Sequence, residues 1–362
     1  MGAPGRNILI YRLGSLGDTV MALPCFHQVR NRFPDANITL LTNRPVMAKA
    51  AALEAVLGSG YFYDEVLHYP VGTRSPRLLM QLIKQIRSLN IDTVVNLTAT
   101  RSSMSGKRDW LFFKAAGVKK FIGFVKPPKQ AQLPVIVYNG LQKWEAKRLV
   151  EQIESLGPVS LEDDSNWDLK LTQGEKNNAS SILDGVSPGR PILAIGTGTK
   201  AQANDWGTGN WLQLMQQLKN ALPGWQLLVI GAPEEATMGD VYLKAWGDEG
   251  LNLCGKTSPR VSAAILDKTA IYIGHDSGPM HLAACMGTPC VGIFSGRNLP
   301  GRWFPRGTHN KIIYHKTACS GCGLEVCIEE KKKCILSISV NEVQRAVLEL
   351  SSIHIAKQVQ IS

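Results

Sequence analysis

A carboxylate, a hydroxyl and a residue without a side chain follow one another at Asp276-Ser277-Gly278, directly after an apolar run that ends at Gly274. Residues 271–294 read as strand, turn, helix and strand, with Gly287-Thr288-Pro289 closing the helix. A helix that opens at Ser277 presents unpaired N–H groups and the positive end of its dipole, a seat for a phosphate or diphosphate. Gly278 leaves that approach open, and His281 recurs three residues later on the same face. An ordinary N-cap uses the same residues.

Three further positions can do chemistry. The loop Gly196-Thr197-Gly198-Thr199-Lys200-Ala201 formally fits a dinucleotide fingerprint, but residues 202–207 are not a first helical turn and Leu218 stands where an acidic ribose ligand belongs. It reads instead as a glycine-rich loop whose Lys200 either reaches a diphosphate as a point charge or stays solvated. Asp18, at a strand-to-helix junction, either caps free N–H groups or acts as a general base on a substrate hydroxyl. Glu234 and Glu235, after Gly231-Ala232-Pro233, either take both hydroxyls of a ribose or steady a first helical turn.

These residues need elements to hold them. Apolar runs at 7–11, 38–41, 65–68, 93–97 and 120–123 alternate with helical patterns at 20–33, 45–56, 77–89 and 107–116, which predicts a parallel sheet with helices on both faces. Residues 157–189 are polar and turn-rich, with the acidic run Glu162-Asp163-Asp164. A second series follows, with strands at 192–195, 226–230, 271–273 and 291–294 and helices at 209–221, 233–246 and 259–268. The expected fold is α/β: two doubly wound Rossmann-like domains, 1–172 and 173–339, facing each other across a cleft lined by the C-terminal ends of both sheets. The last segment, 340–362, is expected as a helix that packs back on the first domain.

The chain has 362 residues and a formal charge of +11. Residues 1–172 hold 22 Lys and Arg against 14 Asp and Glu, so most of the positive field belongs to the first half. Such a field suits a phosphorylated acceptor or an anionic membrane surface. No zinc finger, RNA-recognition signature or basic block of five or more is present, which argues against nucleic acid. No apolar run approaches the roughly 20 residues that cross a bilayer, and no secretory pattern opens the chain, so a soluble cytoplasmic protein is expected. Cys25, Cys254, Cys285 and Cys290 lie singly in apolar segments, where a thiol acts as a small hydrophobe. Cys319, Cys322, Cys327 and Cys334 form C-x2-C-x4-C-x6-C. That cluster can hold zinc or an iron–sulfur centre or form disulfides, although the x4 and x6 spacings match no standard zinc finger.

The segments ILIYRLGSLGDTVMALPCFHQVRNRFP, the loop with Lys200 and the nearby Asp205-Trp206, GAPEE, LCGKTS and above all GHDSGPMHLAACMGTPCVGIFSG resemble glycosyltransferase family 9, the lipopolysaccharide heptosyltransferases and their relatives, over essentially the whole chain. The cysteine loop and the helix after it are also similar to the family, which lowers the case for a special metal. The resemblance implies a GT-B fold, inverting transfer with no metal or cofactor required, and a nucleotide-diphosphate-heptose donor, usually with ADP. By motif position it implies Asp18 as the base on the acceptor hydroxyl, with Arg12, Ser15 and Gly17 on the acceptor side. Ser277, Gly278, Lys200 and Thr199 would hold the diphosphate, Asp276 the donor sugar, Glu234 or Glu235 the ribose, and the backbone at Gly255, Lys256 and Thr257 the adenine. His281 belongs to the donor motif without an assigned step. The implied acceptor is a lipid-linked glycan at the cytoplasmic face of the inner membrane. One departure stands out: where the family carries Lys-x-Trp-Pro, this chain has Asn204-Asp205-Trp206-Gly207, which leaves the donor sugar open. Two other readings remain, a sugar-nucleotide epimerase of the same fold and a non-catalytic nucleotide-sugar-binding protein. Retention of Asp18 and the Asp276 motif counts against the second.

Overall fold

The computed structural model describes residues 6–44, 51–70, 72–99, 103–124 and 140–361. The chain forms two compact units, Met1–Val137 with Lys143–Lys170, and Tyr138–Gln142 with Leu171–Ser362. The passage between them at Lys170–Leu171 compares with the expected boundary at 172.

The first unit is a five-stranded parallel sheet in the order β3-β2-β1-β4-β5, built from β1 (Asn7–Tyr11), β2 (Asn37–Asn43), β3 (Glu65–Tyr69), β4 (Thr93–Asn96) and β5 (Lys120–Ile122). Ile8, Leu9, Ile10, Val94 and Val95 are fully buried, since helices cover both faces and leave no solvent side to carry polar residues. Its helices are α1 (Leu16–Met21), α2 (Leu23–Arg32), α3 (Leu53–Leu57), α4 (Pro76–Ser88), α5 (Ser103–Ala115) and α6 (Glu145–Gln152). The helix expected at 20–33 begins earlier and breaks at Ala22, with Pro24 in the first turn of α2. Of the helix expected at 45–56, residues 45–50 lie outside the described residues. The strand order reverses between β1 and β4, so the loop after β1 opens at a topological switch point.

The second unit is a six-stranded parallel sheet, β11-β10-β9-β6-β7-β8. Its strands are β6 (Ile192–Gly196), β7 (Gln226–Val229), β8 (Gly250–Asn252), β9 (Ile271–His275), β10 (Cys290–Phe294) and β11 (Lys311–Tyr314), with α7 (Gln173–Leu183), α8 (Thr208–Ala221), α9 (Ala236–Trp246), α10 (Pro259–Leu266), α11 (Gly278–Cys285), α12 (Lys333–Leu336) and α13 (Val340–Ile361). β8 and β11 are absent from the expected strands because both are short edge strands, and β8 opens on glycine. The switch point lies between β6 and β9, whose register pairs Gly196 with Gly274.

α13 forms where a helix was expected, within 340–362. Val340, Val343, Val347 and Leu350 recur at helical spacing and bury into the core shared with Trp211, Leu214 and Leu218 of α8. The helix packs on the second sheet and on α8. Among the described residues, no helix is long and apolar enough to cross a membrane.

Candidate functional site

In the first unit, the candidate residues gather at the turn after β1. Ser15 is the N-cap of α1 and Asp18 its third residue, so the two form a capping box: Asp18 Oδ2 accepts from Ser15 N–H at 3.0 Å and from Ser15 Oγ at 3.1 Å. The other carboxylate oxygen, Oδ1, lies 3.8 Å from the Arg12 guanidinium, and the Asp18 side chain is 34% exposed. Capping and base catalysis are therefore compatible, one oxygen for each. Gly14 makes this approach possible, because its φ of +134° is in the range that favours glycine and a Cβ there would overlap the Asp18 side chain.

Arg12 does not sit where the acceptor-side expectation puts it. It is 2% exposed, and its guanidinium donates to the carbonyl of Leu97 and, at 2.5 Å, to the carbonyl of Asp18. Burial draws its pKa down while Asp18 and Glu145 pull it back up. It lies beneath the turn, tied to the backbone of Leu97 and Asp18. Gly17 is buried within α1, whereas Ser15 is half-buried beside Asp18.

In the second unit, the candidate residues gather at the C-terminal ends of β6, β7, β8 and β9. α11 opens at Ser277, whose side chain makes no cap hydrogen bond. Pro279 has no N–H, so Gly278 and Met280 supply the unpaired donors of the first turn. The Ser277 Oγ and the fully buried Tyr272 hydroxyl face each other without closing a hydrogen bond of normal geometry. Asp276 is held from behind: His281 is 3% exposed, and its Nε2 stands 3.7 Å from Asp276 Oδ1.

The glycines of the Lys200 loop have side-chain reasons. A Cβ on Gly196 would overlap the Tyr272 hydroxyl, and one on Gly198 or Gly231 would overlap the Glu235 carboxylate. Glu235 folds back over this loop while accepting from Ala232 N–H at 3.2 Å; Glu234 is exposed. The structure thus brings Glu235 to the glycine loop. Gly255 N–H donates to the Gly231 carbonyl at 2.9 Å, and a Cβ on Gly255 would lie 2.7 Å from Pro233 Cα, so the β8 loop closes against the β7 loop. Lys256 is exposed, and Thr257 Oγ1 bonds Ser262 Oγ at 2.7 Å. Lys200 is exposed, and Thr199 Oγ1 donates to the Ala201 carbonyl at 3.2 Å.

A stability prediction follows from Gly196. Gly196→Ala should cost about 2 kcal/mol of unfolding free energy by overpacking, and Tyr272→Phe, which removes the obstructing oxygen, should restore most of that loss. Denaturant titration of the two single variants and the double variant measures the coupling; additive losses would contradict it.

His275, which the sequence reading passed over, ties the site together. It is fully buried, and its Nε2 accepts from Trp206 N–H at 3.2 Å, which places the proton of the neutral ring on Nδ1. The ring also lies beside the carbonyls of Thr197 and Gly198. The Asn204 side chain is buried and bonds Ser295 Oγ, so the residue in place of the family's lysine is turned into the fold.

The cysteine loop braces the same segment. Glu325 accepts from Ala203 N–H at 3.0 Å, Cys327 N–H donates to Gln202 at 2.9 Å, and Lys332 Nζ bonds Asp205 Oδ2 at 3.0 Å. None of the eight cysteines is joined in a disulfide, and among the described residues no group of three or more His, Cys, Asp or Glu is arranged to hold a metal ion. Burial raises the thiols of Cys25 and Cys254 to about 12, as inert apolar residues require.

Known proteins resemble this chain over most of its length. The lipopolysaccharide core heptosyltransferase OpsX of Haemophilus influenzae is 21% identical over 319 residues, 85% of this chain and 84% of the relative. The lipooligosaccharide heptosyltransferase 2 of Campylobacter jejuni is 23% identical over 346 residues, 93% of this chain and 96% of the relative. A family 9 glycosyltransferase from Veillonella parvula superposes with a TM-score of 0.71 at 18% identity, covering 97% of this chain and 98% of that one. The ADP-heptose lipopolysaccharide heptosyltransferase II of Escherichia coli gives 0.65 at 16% identity, covering 98% and 99%. These likenesses show the fold, two Rossmann-like α/β domains of the GT-B class, as expected. The family profile matches residues 79–333, a span that holds the glycine loop, Glu235, the start of α11 and the first three cysteines of the cysteine loop. On that match the chain belongs to glycosyltransferase family 9 (heptosyltransferase).

Proposed function

We propose that this chain moves a heptose from ADP-heptose to a lipid-linked glycan of the lipopolysaccharide core with inversion at the anomeric carbon, at the cytoplasmic face of the inner membrane, and with no metal or cofactor. The observation that carries this reading lies within the second unit, where an open helix start, a glycine loop and Glu235 meet at the switch point of a family 9 chain.

In the reaction the acceptor hydroxyl oxygen forms the new bond to the anomeric carbon while the bond from that carbon to the diphosphate oxygen breaks. Asp18 Oδ1 takes the hydroxyl proton, its geometry fixed by Ser15 and Arg12. ADP departs with the electron pair. The N–H groups of Gly278 and Met280, the α11 dipole and Lys200 stabilise that developing charge. Ser277 adds a hydroxyl to the diphosphate, Asp276 holds the heptose hydroxyls, Glu235 takes the ribose, and the backbone at Gly255, Lys256 and Thr257 takes the adenine.

Calorimetric titration with ADP, UDP, GDP and their sugars tests the donor. ADP and ADP-heptose should bind at least tenfold more tightly than the UDP and GDP compounds, a difference of about 1.4 kcal/mol. Failure of every ADP compound to bind removes the heptose reading.

A further inference from the structure

We propose that the outward faces of α4 and α5 dock the protein on an anionic lipid bilayer. On α5, Met104, Lys107, Arg108, Leu111 and Lys114 are all exposed and fall on one stripe at helical spacing, opposite Phe113, which enters the core. Met104 is 79% exposed and Leu111 59%. α4 repeats the pattern with Arg77, Met80, Lys84 and Arg87, all exposed, opposite Leu82 and Ile86. Leu82, Ile86 and Phe113 share one core cluster, and the Arg87 guanidinium donates to the Ala115 carbonyl at 2.6 Å, so the two helices lie side by side on one face of the first sheet.

Charge identifies the occupant. α4 carries no Asp or Glu, and the one acid of α5, Asp109, is taken by Arg108 at 2.8 Å. Lys114 lies over the Trp110 ring at 4.7 Å, an arrangement that places a cation beside an amphipathic ring. Exposed Met and Leu among cations match the acyl boundary and the anionic headgroups of a bilayer, respectively. A nucleic acid would meet the cations and leave the methionines without a partner. In a parallel α/β sheet each helix begins where the preceding strand ends. Leu78, Met80 and Met104, early in their helices, therefore lie toward the end of the sheet that carries Asp18. Resting on the acceptor reading above, the docked face brings a lipid-linked acceptor to that carboxylate.

The experiment is co-sedimentation of the full chain with vesicles of phosphatidylcholine alone or with phosphatidylglycerol added. Binding to the anionic vesicles is expected, weakening as salt rises. Lys107→Gln and Arg108→Gln should each lower it about fivefold, and Met104→Ser with Leu111→Ser should lower it further, all with wild-type thermal melts. The same variants should lose turnover on a vesicle-embedded acceptor while keeping donor affinity. Equal binding to neutral vesicles, or unchanged binding by the variants, overturns the proposal. Vesicle binding without any sugar transfer would leave the docking surface standing and remove the acceptor reading instead.

Discussion

Asp18→Asn should lower the turnover of sugar transfer by about 10²- to 10⁴-fold, the range of a single positioned base, and leave ADP-heptose affinity unchanged. The asparagine keeps an oxygen to accept from Ser15, so the capping box and the fold should survive. What it lacks is a site for the acceptor proton. Asp18→Ala removes the cap as well and should lose about 1 kcal/mol of stability in addition, so the pair of variants separates the two tasks of this carboxylate. Gly14→Ala should mimic the loss of activity without touching the carboxylate, because its Cβ would push Asp18 out of place. Stopped-time product assays read turnover and calorimetry reads donor affinity. An Asp18→Asn enzyme of wild-type turnover would remove the residue from the mechanism.

Acid should destabilise this protein through His275. Burial lowers its pKa to about 4, against an ordinary value of 6.5, because the imidazolium has no water and the Asp205 carboxylate compensates only in part. Above pH 6.5 neither the folded nor the unfolded state binds the proton, and the neutral ring contributes fully. Between pH 6.5 and about 4 the unfolded state binds a proton that the folded state refuses, so stability falls as the pH falls. Integrated over that window the loss is about 3 kcal/mol. Chemical denaturation at a series of pH values should show this slope in the wild type and a flatter one in His275→Asn. Donor affinity should hold across that window and fall only as the pH drops through about 4, where the folded ring takes its proton and can no longer accept from Trp206 beside the loop that carries Lys200. Identical slopes in the two proteins would exclude His275 as the source.

The two α/β series were legible because parallel strands buried on both faces leave uninterrupted apolar runs, as in residues 7–11 and 271–275, and because glycines and polar residues collect where those runs end. The positions of Asp18, Lys200 and the start of α11 followed from that punctuation. Their supports did not, since each depends on contacts between residues far apart in the chain. Nothing local shows that Gly196 is small for the Tyr272 hydroxyl, or that Glu235 rather than Glu234 covers Gly198. Arg12 was expected on the acceptor side, and only its bond to the carbonyl of Leu97, just past β4, reveals it as buried. The same holds for α13, whose apolar stripe was visible while the sheet it covers was not. One signal was present and unused: His275 immediately precedes Asp276, and an imidazole inside an apolar strand needs a partner.

The most direct test is one reaction, with purified protein, ADP-heptose and a lipid-linked core acceptor lacking its heptose, followed by mass spectrometry of the glycan and NMR of the new linkage. The account predicts one ADP released per heptose added, and an anomeric configuration opposite to that of the donor. Release of ADP without a modified acceptor, conversion of the donor into an epimer, or retention of configuration would contradict it.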